Sequence, residues 1–152
     1  MSSMMMQNGT NLMIWTYRGK EFTSEEIESY QGFVYLITNL ENGKKYIGKK
    51  FFVKPKILPK TKSRKRRVRT TVESDWKAYF GSSEALLNDI AEWDDERKNA
   101  GISREILRLC KTKGECSYYE IKEQLAVDAL LDENYYNSFV GCKIHRRHVI
   151  NG

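Results

Sequence analysis

Gly32-Phe33-Val34-Tyr35-Leu36-Ile37-Thr38-Asn39-Leu40-Glu41-Asn42-Gly43-Lys44-Lys45-Tyr46-Ile47-Gly48-Lys49-Lys50 is the stretch that decides the fold of this 152-residue chain. Residues 33–40 are rich in aromatic and β-branched side chains, Asn42-Gly43 is the dipeptide that two-residue primed turns favour, and residues 45–53 resume with Tyr46, Ile47, Phe51 and Phe52. The stretch therefore reads as a β-hairpin. Pairing about its turn brings Tyr35 and Tyr46 onto adjacent strands near one end. Gly48 leaves room there for another backbone or a phosphate to approach. Two phenols beside a glycine, Lys49 and Lys50 make a candidate chemical site.

Immediately downstream the charge changes character. Residues 44–69 hold 13 of the 26 Lys and Arg and no acid, so the rest of the chain carries 13 bases against 20 acids, a local balance of −7 beneath an overall +6. An acid-free basic segment in an otherwise acidic protein points to a polyanion-binding surface, with nucleic acid as the expected partner. Pro55, Pro59 and unpaired like charges oppose helix and central strand, so the segment is expected to be a mobile loop that orders on its partner. The run Arg64-Lys65-Arg66-Arg67 also fits a nuclear address.

The remaining elements flank this hairpin. Residues 1–14 lack a periodic pattern, 15–22 look extended, and Thr23-Ser24-Glu25-Glu26 is a capping box opening a short helix to about residue 30. Ser74 caps a short helix that buries Trp76 with Tyr79 or Phe80. Ser83 begins a helix over 84–99 with Leu86, Leu87, Ile90 and Trp93 on one stripe, which Gly101 stops. Residues 103–110, with Ile106, Leu107 and Leu109, suit a third strand beside the hairpin, or a helix. Ser117, with Glu120 three residues on, caps a helix running to 131, with Tyr118, Ile121 and Leu125 packed inward. A hairpin, one further strand and flanking helices make a small α+β domain. Its length suits one domain: an N-terminal extension over 1–30, the main domain over 31–141 and a basic tail over 142–152.

Composition excludes some classes. No apolar run approaches the roughly 20 residues needed to span a bilayer, and the first residues lack the basic and apolar regions of a secretory signal, so a cytoplasmic protein that does not enter membranes is expected. Cys110, Cys116 and Cys142 suit reduced thiols. The competing reading is a zinc site joining them to His145 and His148, without the usual finger spacing.

Phosphodiester hydrolysis needs a base for water, cations or donors for the phosphate, and usually a metal held by a carboxylate. The hairpin offers Tyr35, Tyr46, Lys49 and Lys50. Glu120, in a helix directly after the third strand, is placed to face the sheet edge. At this point the chain resembles a known family. Phe33-Val34-Tyr35, ten residues, then Tyr46-Ile47-Gly48 is similar to the paired motif of GIY-YIG nucleases, and more closely to the Seg-like homing endonucleases of bacteriophages. The likeness runs from Gln31 to Gly141 and includes Ser74-Asp75-Trp76-Lys77, Ser117-Tyr118-Tyr119-Glu120 and Tyr136-Asn137.

The resemblance implies a small three-stranded antiparallel sheet with both tyrosines at its centre, the basic loop inserted after the second strand, and hydrolysis of double-stranded DNA. It implies that Tyr35 and Tyr46 are the motif tyrosines, Gly48 permits close approach, and Lys49 or Lys50 neutralises phosphate. Glu120 then holds one divalent metal, and Asn137 hydrogen-bonds in the site. Magnesium, or manganese in its place, is the expected ion, because a lone carboxylate plus substrate phosphate suits a cation that keeps its waters. Glu123, one turn on, competes for the metal. The first motif carries Phe-Val in place of Gly-Ile. The family's usual arginine after the second motif falls on Lys56, leaving its role to Lys77 or an arginine of 64–69. DNA contacts are thus expected from Gly48, Lys62, Arg64, Lys65, Arg66, Arg67, Arg69 and Lys77. The rivals are a non-catalytic nucleic-acid-binding module using 44–69 and an RNA- or ribosome-associated basic protein. A phage-encoded enzyme of this kind would act in the cytoplasm of its host cell. Oligomeric state and recognition sequence are not readable.

Overall fold

Two short strands, β1 (Trp15–Tyr17) and β2 (Lys20–Phe22), precede the hairpin, whose strands are β3 (Gly32–Asn39) and β4 (Lys45–Phe51). These belong to a computed structural model that describes residues 14–138 and 140–141. The turn is longer than the Asn42-Gly43 dipeptide suggests. Asn39 donates to the Lys44 carbonyl at 2.8 Å, Gly43 takes φ +78°, and strand pairing starts at Thr38 and Lys45. A two-residue turn would set Tyr35 opposite Lys50; the observed register sets it opposite Gly48. A slip of two residues leaves every side chain on its intended face. The tyrosines therefore stay together, with glycine directly across from one of them.

Beyond the hairpin lies the largest departure from expectation. Residues 55–69, expected as a mobile loop, form a paired ribbon of β5 (Val53–Leu58) and β6 (Val68–Glu73). Val53, Ile57, Val68, Thr70, Thr71 and Val72 favour strands, and in a two-stranded ribbon both members are edges, where Pro55, opposite Thr71, is tolerated. Local β propensity overrode the charge. After a 3-10 turn at Trp76–Ala78 come α1 (Glu84–Asp89) and α2 (Asp95–Gly101). The single helix expected over 84–99 is split because the Asp94 carboxylate accepts from the Arg97 amide at 2.8 Å and starts a new one.

The third strand is confirmed as β7 (Ile102–Cys110), antiparallel to β3, and it leads to α3 (Lys113–Ala126). That helix starts earlier than expected and is capped by Thr112, not Ser117: the Thr112 hydroxyl accepts from the Glu115 amide at 3.0 Å. Its inward residues are Cys116 and Gln124, while Leu125 is exposed and Tyr118 and Ile121 are half-buried. Likewise, the helix expected from Thr23 is a single 3-10 turn, Ser24–Glu26, whose capping box does form.

The antiparallel core β7-β3-β4 is the expected three-stranded unit, but the sheet has five strands, in the order β2-β1-β7-β3-β4. It is mixed, because β1 runs parallel to β7. Residues 15–22, assigned to an N-terminal extension, thus complete the sheet. The domain starts at Trp15, which is fully buried and donates its indole N–H to the Trp76 carbonyl at 2.8 Å. One sheet face carries an aromatic core of Trp15, Phe22, Phe33, Tyr35, Phe52 and Trp76. The other packs Val34, Ile47 and Cys110 against Cys116 of α3. Cys110 and Cys116 are free and buried, as expected for reduced thiols. Cys142, His145, His148, the tail over 142–152 and residues 1–13 lie outside the described residues.

Candidate active site

The free edge of β4 is where both sheet faces meet. Alternation along β4 sends Tyr46, Gly48 and Lys50 to the aromatic face and Ile47 and Lys49 to the α3 face. Around the edge, Tyr46, Lys49, Ser82, Glu120, Gln124 and Tyr136 line one cavity of about 620 Å³. Alternating residues of an edge strand can thus share a site that a central strand would divide.

Each wall is fixed by a separate interaction. The Tyr46 hydroxyl lies 3.0 Å from the Ser82 hydroxyl. Lys49 Nζ donates to the Ser117 hydroxyl at 2.8 Å and sits 3.7 Å from Glu120 Oε1. Ser117 is therefore a site neighbour and not a cap, and Glu120, in the middle of α3, is free of any capping-box role. Glu123 does not line the cavity. Ile47 is held twice over: Asn137 accepts from its amide at 3.1 Å and donates to its carbonyl at 2.8 Å, while Gln124 donates to the same carbonyl at 2.9 Å. One side chain thereby stands in for a neighbouring strand. Asn137, expected to act within the site, spends its amide group on the strand that carries Tyr46 and Lys49.

Tyr35 lies behind Tyr46, fully buried, and its hydroxyl has no hydrogen-bond partner among the described residues. A Cβ on Gly48 would meet that hydroxyl at 2.5 Å and the Tyr46 ring at 3.0 Å, so glycine is required for the two rings to lie as they do, tilted by 47° with centroids 6.1 Å apart. Burial pushes the Tyr35 pKa well above its ordinary value, with Tyr79 and Tyr46 adding to the effect. Burial also raises Tyr46, against the opposing hydrogen bond from Ser82. Both phenols are thus neutral at physiological pH. They can orient a water and pass a proton, but they do not stand as phenolates. Glu120 is raised as well, by burial, with Lys49 opposing it.

Other expected site residues lie elsewhere. Lys50 pairs with Asp75 at 2.7 Å and lies 4.0 Å from the centre of the Tyr79 ring, holding the Asp75 carboxyl below its usual range. Lys77 pairs with Glu73 at 3.6 Å, outside the cavity. Lys62, Lys65, Arg66, Arg67 and Arg69 are exposed on the ribbon, and half-buried Arg64 bends back to donate to the Pro59 carbonyl at 3.1 Å. Sequence reasoning missed Ser82, Gln124 and Arg104. All three lie within the stretch that resembles the family, and nothing local marks the role of any of them. Buried Arg104 donates to the Lys77 and Tyr79 carbonyls at 2.9 and 2.8 Å between the Trp15 and Phe80 rings. With no carboxylate beside it, burial lowers its pKa to about 10. It remains a cation and ties the segment bearing Tyr79 to the sheet.

The arrangement matches a known domain. Residues 15–140 fit the family described as "Putative endonuclease segE, GIY-YIG domain". The chain belongs to this GIY-YIG endonuclease family. No curated protein and no solved structure matches it. The paired tyrosines and the glycine of this chain pack together, and of the three Tyr46 lines the cavity. No group of three or more His, Cys, Asp or Glu comes together among the described residues, so Glu120 is a lone carboxylate. One carboxylate beside a cavity roomy enough for phosphate and several waters fits magnesium or manganese, which accept substrate oxygens and retained waters, and does not fit a structural zinc. No helix among the described residues is long and apolar enough to cross a membrane.

Proposed function

We propose that this protein is a metal-dependent endonuclease of the phage homing type that hydrolyses double-stranded DNA at the β4 edge, in the host cytoplasm. The observation that carries the reading is the convergence of Tyr46, Lys49 and Glu120 on one cavity from three directions. Glu120 would hold a single magnesium or manganese ion. That ion would neutralise charge on the scissile phosphate and supply an acidified water. Lys49 neutralises a second phosphate oxygen once its contact to Glu120 is given up. Tyr46, neutral and held by Ser82, orients the attacking water. Tyr35 and Gly48 fix where the Tyr46 ring stands. Lys50 and Asn137 act one step back, on Asp75 and on the β4 backbone.

Nicking of supercoiled plasmid tests this. The wild type should nick with magnesium or manganese and not in chelator. Glu120→Gln and Tyr46→Phe should each lose at least about a hundredfold in rate. Burial raises the Glu120 pKa in the metal-free protein and a bound cation lowers it, so raising the magnesium concentration should move the acid limb of the rate profile to lower pH. Strong nicking untouched by both variants would dismantle the site. Absence of nicking with either metal would favour a basic module that binds DNA without cutting it.

A further inference from the structure

We propose that the β5–β6 ribbon inserts into the major groove of duplex DNA and reads base edges there, so that it selects the site the cavity cuts. This rests on the endonuclease reading for its consequence, though not for its test. Three observations carry it.

The first is that the ribbon is a preformed element without a packing face. Nine of its twelve strand residues are exposed, on both faces: Lys54, Pro55, Lys56, Ile57, Val68, Arg69, Thr70, Thr71 and Glu73. It is fastened at its root, where the Ser74 amide donates to Phe52 and the Ser74 hydroxyl to Phe51. Isolated two-stranded hairpins are marginal in water, so the ribbon is held by this root and its open faces are free to meet a partner.

The second is charge. Residues 53–73 hold nine Lys and Arg against one acid, Glu73, and six of the nine fall in or beside the turn over 59–67. Cations gathered at the tip and side chains able to hydrogen-bond along the strands divide the labour that DNA recognition needs: phosphate contacts fix position, and groove contacts carry sequence.

The third is shape. Strands about 4.8 Å apart with their side chains fit a groove of about 12 Å and not one of about 6 Å. Thr70 and Thr71 point to opposite faces, and Ile57 and Val68 are 51% and 38% exposed. Hydroxyls suit base-edge donors and acceptors, and exposed aliphatic groups suit thymine methyls, which only the major groove displays. The deep, narrow major groove of A-form RNA would shut the ribbon out.

The test measures binding of the full chain to a 30-base-pair duplex by fluorescence anisotropy in EDTA, where nothing is cut. Methyl green, which fills the major groove, should displace the chain, and netropsin, which fills the minor groove, should not. The RNA duplex of the same sequence should bind at least about tenfold more weakly. Replacing Arg64, Lys65, Arg66 and Arg67 with alanine should lower the slope of log affinity on log salt by about 3 to 4, with the thermal midpoint unchanged because these side chains anchor no core. Displacement by netropsin alone, equal affinity for RNA, or an unchanged salt slope would each overturn the proposal. A chain that meets these expectations yet never nicks plasmid overturns the endonuclease reading and leaves the ribbon standing. Glu120-dependent nicking with binding indifferent to methyl green does the reverse.

Discussion

The β3–β4 hairpin and the β5–β6 ribbon follow one another in the chain and share one construction, two antiparallel strands joined by a turn, yet they differ in almost everything that follows from burial. In β3, Phe33, Val34, Tyr35 and Ile37 are fully buried, whereas no residue of β5 or β6 is buried. Packing on both faces holds the hairpin's side chains in one rotamer each, which lets a hydroxyl be placed to fractions of an ångström. The ribbon holds charge and reach with little else to fix it. The pair separates two tasks: the hairpin stores geometry, and the ribbon stores affinity. Substitutions in the hairpin should therefore change stability and chemistry together, and substitutions in the ribbon should change neither through the fold.

The sharpest break of that contrast should come from Asn137→Ala. It removes both hydrogen bonds to Ile47 and leaves the buried Ile47 amide without a partner, since Gln124 serves only the carbonyl. An orphaned amide plus two lost bonds costs about 2–4 kcal/mol. Urea denaturation should show the loss, and nicking should fall with it because β4 carries Tyr46 and Lys49. A variant as stable as wild type would mean that the edge is sealed by other groups.

Gly48→Ala comes next. The added methyl lands on the Tyr35 hydroxyl and the Tyr46 ring, so one ring must move. Overpacking of this kind costs about 1–3 kcal/mol. Any folded fraction should nick poorly, because Tyr46, which lines the cavity, either moves itself or loses the Tyr35 ring it packs against. A matched Thr71→Ala in the ribbon, free of such neighbours, should leave the denaturation midpoint within about 0.5 kcal/mol of wild type.

How much of this was legible in the sequence follows the same division. The hairpin, the third strand and the pairing of Tyr35 with Tyr46 could be read because alternation, β-branching and an Asn-Gly turn are local signals, and a register slip of two preserved their faces. Glu120 could be placed near the tyrosines because its helix follows the third strand directly. The ribbon was misread because like charge and two prolines argue against regular structure, while the pairing that tolerates them exists only between two edges. Residues 15–22 could be read as extended but not as part of the sheet, since the pairing that orders β1 is with the distant β7. The partners that tune the site, Ser82, Gln124 and Asp75, lie 36, 77 and 25 positions from Tyr46, Ile47 and Lys50. Nothing local marks such partners. Asn137 illustrates the limit from the other side: resemblance pointed to the residue, and only the backbone of Ile47 shows what its amide does.

The smallest effect is the one that best sharpens the comparison, because stability and function should move in opposite directions. The Tyr35 hydroxyl is buried and without a hydrogen-bond partner among the described residues, a state that costs about 1–3 kcal/mol relative to solvent. Tyr35→Phe deletes it without opening a cavity. The variant should be more stable by about 1 kcal/mol, raising the melting midpoint by roughly 2–4 °C for a domain of this size, while nicking slows. An active site that tolerates such a group is giving up stability for function, and a hairpin packed on both faces is the place where that loss can be carried. If Tyr35→Phe melts lower than wild type, the hydroxyl has a partner in solution, and Tyr35 belongs to the scaffold and not to the chemistry. If it melts higher and still nicks at the full rate, the hydroxyl is neither scaffold nor chemistry, and the burden of orienting water falls on Tyr46 alone.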